Sequence, residues 1–432
     1  MNREILKLAI PNVLTNLTVP LVSLVDIGLM GHMPTKGHII SIGLAVVIFN
    51  IIYWAFGFLR MGTTGLVAQK FGQDNKTATL IFLKRGLMIA IGGGALLILL
   101  SKLIFNSSML LLQVEPALQE LISDYFFIRI HAAPFTISIF VLTGWLLGMQ
   151  DAKAALFMAI VVNVVNVILS ALLVLYYELD ITGVAYGTVV AQIIGCIFAW
   201  QLIKKKYQVN ILSFGKLQSS NNLSWLDYIR INADIFVRTI CLLAVLSFFK
   251  VQAAQLNETL GAANLLLLEF ITISAYGIDG FAFAAESISG KYFGLGDKIS
   301  FKQSIKKLMH WGIGIGSVFS IIFLLFGQHI LALLTNKQDV IAMANIYMPW
   351  LIIAPIINAF AFIWDGIYLG VSATKLMRNT MLISTVLFFL FYSILVGRLN
   401  NHGIWLSLTL FMLARGIFQT LPAKKFIIGR LD

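Results

Sequence analysis

The sequence predicts an all-α polytopic membrane protein with twelve transmembrane helices in two pseudo-symmetric lobes of six. Three observations predict this fold: the composition, the length of the apolar runs and an internal repeat. Hydrophobic residues make up 59% of the 432 residues and charged residues 12%, and the mean hydropathy is +0.90. The charged share is about half of that in soluble proteins. Such a chain has more apolar surface than a soluble fold can bury.

The apolar residues occur in continuous runs rather than in alternation. Runs of about 20 residues match one helical crossing of a bilayer, whereas barrel strands alternate over about ten residues. Twelve segments are long enough to span: 9–30, 39–60, 86–105, 121–148, 155–177, 182–203, 231–252, 260–286, 310–334, 343–370, 378–397 and 402–421. The runs therefore predict transmembrane helices.

The lysines and arginines are distributed unevenly between the two sides of the predicted membrane. If the N-terminus lies in the cytoplasm, the loops on that side carry 22 of these residues and the opposite loops carry five. Cytoplasmic loops are enriched in this way, so both termini are predicted to be cytoplasmic. The formal charge of +12 is then explained by topology and by anionic membrane lipid, and not by nucleic-acid binding.

The two halves of the chain resemble one another at an offset of 222 residues. The offset maps glycines of the first half onto glycines of the second: Gly72 onto Gly294, Gly92 onto Gly314 and Gly148 onto Gly370. We expect an N-lobe over 1–203, a polar linker over 204–224 and a C-lobe over 225–432. Because each half has an even number of spans, the repeat is parallel, and two such bundles around a cleft are typical of transporters.

Motifs for catalysis and for metal binding are missing from the sequence. The cysteines, Cys196 and Cys241, lie inside apolar runs, which excludes a disulfide framework and disfavours a metal cluster. There is no HExxH, Walker lysine or GxSxG motif. The chain is therefore predicted not to be an enzyme and to need no cofactor. Without a nucleotide site, transport has to be driven by an ion gradient, of H⁺ or Na⁺.

The first span carries the most suggestive acidic side chain. Asp26 lies near its outer end, and Pro11 and Pro20 precede it in the same span. A charge within a bilayer costs roughly 2.5–3.5 kcal/mol on insertion scales, and proline kinks a helix. Protonation of Asp26 on a bendable helix can therefore couple to movement. The alternative is that Asp26 only marks the outer end of the span.

Amides and hydroxyls line one face of the fifth and sixth predicted spans. Asn163, Asn166 and Ser170 follow the spacing i, i+3, i+7, and Thr188 with Gln192 follows i, i+4. Polar groups in lipid need partners, so these faces are predicted to look into the bundle. Helix packing alone would also explain them.

Besides Asp234, four acidic residues fall within predicted spans of the second half: Glu269, Asp279, Glu286 and Asp365. Asp279 and Glu286 are seven residues apart and therefore share a helix face. They are candidates for a second coupling site. Arg238 and Arg415 lie in other predicted spans of the same half, and ion pairing with such acids is the alternative interpretation.

Several stretches carry a resemblance to a known family. They are LKLAIPNVLTNLTVPLVSLVDIGLMGH at 6–32, FGFLRMGTTGLVAQKFGQDN at 56–75, YGIDGFAFAAESISGKYFG at 276–294 and WDGIYLGVSATKLMRNTM at 364–381. With these the chain resembles the multidrug and toxic compound extrusion (MATE) transporters, in their DNA-damage-inducible-F-like branch. The resemblance covers essentially the whole chain.

The resemblance implies a two-lobed exporter that works by alternating access and expels cationic or amphipathic small molecules. It identifies Asp26 as the coupling acid, with Tyr125, Asn166 and Thr188 as its partners and Pro11 as the site of helix bending. Asp365 resembles a C-lobe acid of some members. Many relatives carry a second N-lobe aspartate where this chain has Ser170. With a single N-lobe carboxyl group, proton coupling is favoured over sodium coupling.

The mechanism expected from these residues places proton exchange at Asp26. Binding of a proton from outside removes the attraction of Asp26 for a cationic substrate, and release of the proton inside restores it. We expect a multi-pass protein of a prokaryotic inner membrane that functions as a monomer. A flippase for a lipid-linked precursor, of related fold, is the main alternative, ahead of a membrane-embedded enzyme or a passive channel.

Overall fold

The computed structural model describes residues 1–31, 36–209 and 224–431, and its regular structure over these ranges is helical, without strands. The helices of the first half are α1 Asn2–Gly31, α2 Lys36–Ala55, α3 Gly57–Gly72, α4 Lys76–Leu99, α5 Ser101–Leu112, α6 Pro116–Arg129, α7 Ala133–Gly148, α8 Ala152–Leu175 and α9 Asp180–Tyr207. A 3₁₀ turn at Ile130–Ala132 joins α6 to α7.

The second half contains six helices and a short 3₁₀ turn at Ile428–Leu431. The helices are α10 Trp225–Ala254, α11 Glu258–Leu295, α12 Lys298–Leu334, α13 Gln338–Gly370, α14 Thr374–Leu399 and α15 Asn401–Phe426. Within the described ranges, eleven helical segments are long and apolar enough to cross a membrane. The remaining predicted span, 231–252, lies on α10, which carries Asp234 and Arg238. The all-helical, multi-span prediction is confirmed.

The structure extends or divides several predicted spans. The span predicted at 39–60 is interrupted at Phe56, so that Gly57 to Arg60 begin α3 instead of ending α2. The span at 86–105 ends at Leu99, and α5 follows. Lys204 to Lys206, placed in the linker by the sequence, continue α9. Most of the predicted linker, 210–223, lies outside the described residues.

The chain divides into two compact units. Unit 1 contains Met1–Val13, Ala68–Asp74 and Trp225–Asp432, and unit 2 contains Leu14–Val67 and Asn75–Ser224. Helix α1 is thus divided after Val13 and helix α3 after Val67. The lobes predicted from the repeat are continuous stretches of the chain, whereas the two units are defined by which residues pack together. Two short segments of the first half, Met1–Val13 and Ala68–Asp74, belong to the same unit as the second half.

Glycine contacts inside each unit repeat with the offset found in the sequence. A Cβ atom added to Gly144 would overlap the carbonyl oxygen of Arg60, and one added to Gly366, 222 residues later, would overlap that of Ala282. Residue 282 is itself 222 residues after residue 60. Close helix approach at small residues is typical of membrane bundles. The same helix crossing has therefore been built twice, which confirms the internal repeat.

One helix crossing in unit 1 joins a repeat-related pair of glycines. A Cβ atom at Gly72 would overlap the carbonyl oxygen of Lys291, and a Cβ atom at Gly294 would overlap that of Gln69. The two contacts exchange under the 222-residue offset, because it maps Gly72 onto Gly294 and Gln69 onto Lys291. The ends of α3 and α11 therefore cross with local two-fold symmetry, backbone against backbone.

The same face of unit 1 contains polar links between chain segments. Lys291 Nζ lies 2.6 Å from Glu4 Oε1. The hydroxyl of Tyr292 donates to Glu4 Oε2 at 2.9 Å. Gln69 Nε2 donates to the Gly370 carbonyl oxygen at 2.8 Å. Ion pairs and amide bonds thus surround the glycine crossing, which we call the glycine gate (Gln69–Gly72 and Lys291–Gly294).

An amide pair stabilises the core of unit 1. Asn264 and Asn401 exchange two hydrogen bonds of 2.9 Å, and Trp405 Nε1 donates to Asn264 Oδ1 at 2.9 Å. All three residues are buried. A buried network in which the polar groups bond to one another fixes the register of α11 against α15.

Candidate coupling sites

Asp26 lies in unit 2 and is almost removed from solvent. Asp26 lies on helix α1, and the residue is 6% exposed. Its Oδ1 atom has no hydrogen-bond partner among the described residues. A buried carboxylate oxygen that lacks a hydrogen-bond donor costs free energy. The sequence prediction of a titratable group in the first span is consistent with this placement.

Arg129, at the end of α6, is the charged group that interacts electrostatically with Asp26. One guanidinium nitrogen donates to the hydroxyl of Tyr125. The guanidinium carbon lies 4.7 Å from the ring centroid of Phe49 and 5.3 Å from that of Tyr125. Asp26 also interacts with Tyr125. We call Asp26, Tyr125, Arg129 and Phe49 the arginine site.

The resemblance identified Tyr125, and the structure adds Arg129. The sequence contains a signal for it, since a residue four positions after Tyr125 on a helix lies on the same face. An arginine within a predicted span also requires a partner. The contact with Phe49 has no such signal, because α2 and α6 are distant in the chain.

The polar residues of α8 bond to neighbouring helices. Asn166 is buried, and its Nδ2 donates to Thr188 Oγ1 on α9 at 3.0 Å. Asn163 Nδ2 donates to Thr18 Oγ1 on α1 at 2.7 Å. Asn163 and Asn166 therefore face neighbouring helices of unit 2, as their spacing predicts. Within the described chain, no hydrogen bond joins Asp26 to Asn166 or Thr188 in this conformation.

Ser170, which replaces the second aspartate of many relatives, is enclosed by α9. It is fully buried, and a Cβ atom added to Gly187 would lie 2.6 Å from its hydroxyl oxygen. The two helices are therefore in close contact where a carboxylate would need space. The arrangement matches a site with one carboxyl group.

The prolines of α1 do not break the helix. Helix α1 is continuous from Asn2 to Gly31 through Pro11 and Pro20. The boundary between the units falls after Val13, two residues beyond Pro11. The backbone nitrogen of Val13 would lie 2.7 Å from a Cβ atom at Gly280, so this part of α1 packs closely on α11. The role of the prolines as hinges stays a prediction.

Asp365, the strongest C-lobe candidate, is bound by two arginines. Arg238 donates to its Oδ2 atom, Arg415 donates to the same oxygen at 2.5 Å, and Gln419 Nε2 donates to Oδ1 at 2.6 Å. Asp365, Arg238, Arg415 and Gln419 are all buried. We call these four residues the C-lobe ion cluster. The ion pairing suggested by the sequence is therefore present.

The other acidic candidates of the second half differ in environment. Glu286 is 1% exposed. Asp279 is half-buried and interacts electrostatically with Arg415, whereas Glu269 is exposed. The structure thus connects Asp279 to the C-lobe ion cluster and leaves Glu269 at the surface of the unit. Whether any of them takes part in coupling stays a prediction.

Comparison with known proteins gives the family. The MatE family profile matches residues 11–172 and 239–394, which is most of the chain and both halves of the repeat. The chain belongs to the MATE family. The two matched segments also agree with a duplicated architecture.

Known members of the family are similar over nearly the whole length. The DNA damage-inducible protein F of Escherichia coli is 31% identical over 95% of this chain and 89% of its own. A probable multidrug resistance protein NorM of Photorhabdus laumondii is 25% identical over 79% of this chain and 76% of its own. A crystal structure of a MATE protein in the bent conformation superposes with a TM-score of 0.89 at 18% identity, covering 100% of this chain and 96% of that one.

These similarities confirm the resemblance to the DNA-damage-inducible-F-like MATE transporters. The protein is a multi-pass membrane transporter of the multidrug and toxic compound extrusion family. Its role is therefore that of a transporter.

Proposed function

We propose that this MATE protein exports cationic or amphipathic small molecules by alternating access, in exchange for protons that bind Asp26. One observation carries the proposal: Asp26 is a buried carboxyl group with an oxygen that lacks a hydrogen-bond partner among the described residues. Asp365, by contrast, has both oxygens bonded and two positive neighbours. Asp26 therefore has the freedom to exchange a proton that Asp365 lacks.

A single carboxyl group favours H⁺ over Na⁺ as the coupling ion. A proton needs one oxygen, whereas a metal cation needs several oxygen ligands around it. The second aspartate of many relatives is Ser170 here, and α9 packs tightly against it. Each inward proton supplies about 2.3 kcal/mol per 100 mV and about 1.4 kcal/mol per pH unit.

The transport cycle we infer opens the glycine gate once per turnover. With both termini in the cytoplasm of a prokaryotic cell, the gate lies on the cytoplasmic side of the inner membrane. Protonation of Asp26 from outside releases the substrate, and the part of α1 near Pro11 and Pro20 bends. The Glu4–Lys291 ion pair and the Gln69–Gly370 hydrogen bond then break, and the proton leaves to the cytoplasm. One chain, surrounded by lipid, contains every residue this cycle uses.

A flippase for a lipid-linked precursor remains the alternative function. Such a protein would need free arginines to bind phosphate groups. Arg238 and Arg415 are bonded to Asp365, and Arg129 is bonded to Tyr125. These contacts support the export of cations over the movement of anionic lipids.

Efflux from proteoliposomes tests the proposal. Vesicles loaded with the cationic dye ethidium are given a pH gradient or a sodium gradient separately. We expect the pH gradient to drive efflux and the sodium gradient not to. Asp26→Asn should abolish efflux without loss of thermal stability, and Asp124→Asn, at an exposed position of the same unit, should export normally. Full efflux by Asp26→Asn would refute the proposal.

A further inference from the structure

Two buried polar atoms of opposite character are unpaired in the arginine site. Within the described ranges, Asp26 Oδ1 has no donor and Arg129 Nε has no acceptor. The two side chains nevertheless interact electrostatically. An unsatisfied buried polar group costs about 1–3 kcal/mol, and more when charged. Direct pairing of Asp26 with Arg129 would satisfy both atoms.

The guanidinium of Arg129 is instead held by neutral groups. It donates to the hydroxyl of Tyr125 and lies against the ring of Phe49, at 4.7 Å from the centroid. Cation–π contacts are worth about 0.5–2 kcal/mol, but they leave the charge in place. The structure thus shows Arg129 beside an acid without binding it, which is the arrangement expected when the acid is protonated.

We propose that Arg129 is an exchangeable counter-ion of Asp26. When Asp26 is ionised, the guanidinium leaves Tyr125 and binds the carboxylate. When Asp26 is protonated, the guanidinium returns to Tyr125 and Phe49, as in this structure. No covalent bond changes; the proton enters from one aqueous side and leaves to the other. Arg129 is a positioning residue, and the inference rests on the proposed proton coupling at Asp26.

The exchange explains how proton binding expels a cation. The ion pair of Asp26 and Arg129 is neutral and tolerates a cationic substrate nearby. Protonation of Asp26 leaves the charge of Arg129 uncompensated, so the site becomes positive and repels the substrate. The same charge opposes Na⁺, because a sodium ion at Asp26 would sit beside a guanidinium. Arg129 therefore makes the site selective for protons.

Tyr53 of α2 also interacts electrostatically with Arg129, but a phenol is neutral at a pH at which a carboxyl group is ionised. On α2, Tyr53 is half-buried, and His38 Nε2 pairs with Asp180 Oδ2 of α9 at 2.7 Å. On α6, Glu120 and Asp124 are exposed. Asp26 is therefore the acid available to the guanidinium.

The pH dependence of ethidium binding tests the exchange, because binding requires ionised Asp26. Removing the positive charge with Arg129→Met makes ionisation harder, so half-maximal binding should move to higher pH by about 1–3 units. Tyr125→Phe removes the competing partner of Arg129, so half-maximal binding should move to lower pH. Arg129→Lys keeps the charge and should shift it less than Arg129→Met. Arg60→Met, a matched control in unit 2, should not shift it.

The opposite directions of the pH shifts expected for Arg129→Met and Tyr125→Phe distinguish counter-ion exchange from a purely structural role of Arg129. A shift in the same direction for Arg129→Met and Tyr125→Phe, or no shift for Arg129→Met, overturns the inference. If Arg129→Met melts at lower temperature than the unmodified protein, Arg129→Gln serves as the neutral variant. A sodium gradient should not drive ethidium efflux in the unmodified protein; sodium-driven efflux there overturns the selectivity argument.

Failure of the proposed function is distinguishable from failure of this inference. If the unmodified protein is not driven by a pH gradient, or if Asp26→Asn exports normally, the proposed function is wrong. Suppose instead that export is driven by protons and requires Asp26, while the pH of half-maximal ethidium binding is the same with and without Arg129. In that case only the counter-ion exchange is wrong.

Discussion

Alanine substitutions in the glycine gate should destabilise its closed state, and the repeat relates the two positions. Alanine at Gly72 would place a methyl group on the carbonyl oxygen of Lys291, and alanine at Gly294 would place one on that of Gln69. Neither oxygen can move without its helix, because both belong to the backbone. Overpacking of this kind costs about 1–3 kcal/mol. The cost applies to the closed gate and disappears when the helices separate.

The population of the open gate should therefore rise. A change of about 1–3 kcal/mol corresponds to about a 5- to 150-fold change in an equilibrium. We expect Gly72→Ala and Gly294→Ala to have similar effects, because the two contacts are related by the repeat. The double variant should shift the equilibrium by up to the sum of the two free-energy costs, because the closed gate contains both overlaps and the open gate contains neither.

Cysteine labelling measures the opening. Ala68 lies one helical turn before Gly72 on the same face and is fully buried. In a background with Cys196→Ala and Cys241→Ala, the rate of maleimide labelling at Ala68→Cys should rise at least fivefold when Gly72→Ala is added. Thermal unfolding in detergent is recorded in parallel, to distinguish opening from loss of fold.

Matched controls come from a second repeat pair. Gly92 and Gly314 are helical, exposed and also 222 residues apart, and a Cβ atom at either would meet nothing within 4 Å. Gly92→Ala and Gly314→Ala should leave the labelling rate unchanged and cost no stability, because alanine favours helix by about 0.5–1 kcal/mol over glycine. If both gate variants label at the unmodified rate and unfold at the unmodified temperature, the reasoning is refuted.

Three further predictions concern the stability of unit 1 and are measured by thermal unfolding. Asp365→Asn leaves two buried guanidinium groups without a negative partner and should cost about 3–5 kcal/mol; unchanged stability together with lost export would instead indicate a coupling role. Glu4→Gln and Lys291→Gln should show a coupling energy of only about 0.5–1 kcal/mol in a double-mutant cycle, because both side chains are about a quarter exposed (25% and 24%); a larger value would contradict this. Asn264→Leu should cost about 1–3 kcal/mol because it leaves the Asn401 amide unpaired, and a neutral result would show that the amide pair does not stabilise the core.

Local sequence features determined much of this protein. Continuous apolar runs can only be accommodated by helices in a bilayer, because every backbone polar group has to bond within its own segment. The 222-residue offset between glycines predicted the repeat, and the contacts of Gly144 with Arg60 and of Gly366 with Ala282 follow the same offset. The spacing of Asn163 and Asn166 predicted that both side chains face other helices, and both donate hydrogen bonds to them. Each of these inferences uses a period or a length that the chain displays directly.

The partners of each charged group were decided by tertiary structure. The sequence presents Asp26 and Asp365 alike, as single acids in apolar spans. Packing surrounds Asp365 with donors from α10 and α15 and leaves an oxygen of Asp26 unbonded beside Arg129. Which helices meet depends on side-chain fit between segments far apart in the chain, and no local pattern records that fit. The sequence thus determined the spans and the repeat, and the packing determined that both oxygens of Asp365 are bonded while one oxygen of Asp26 is not.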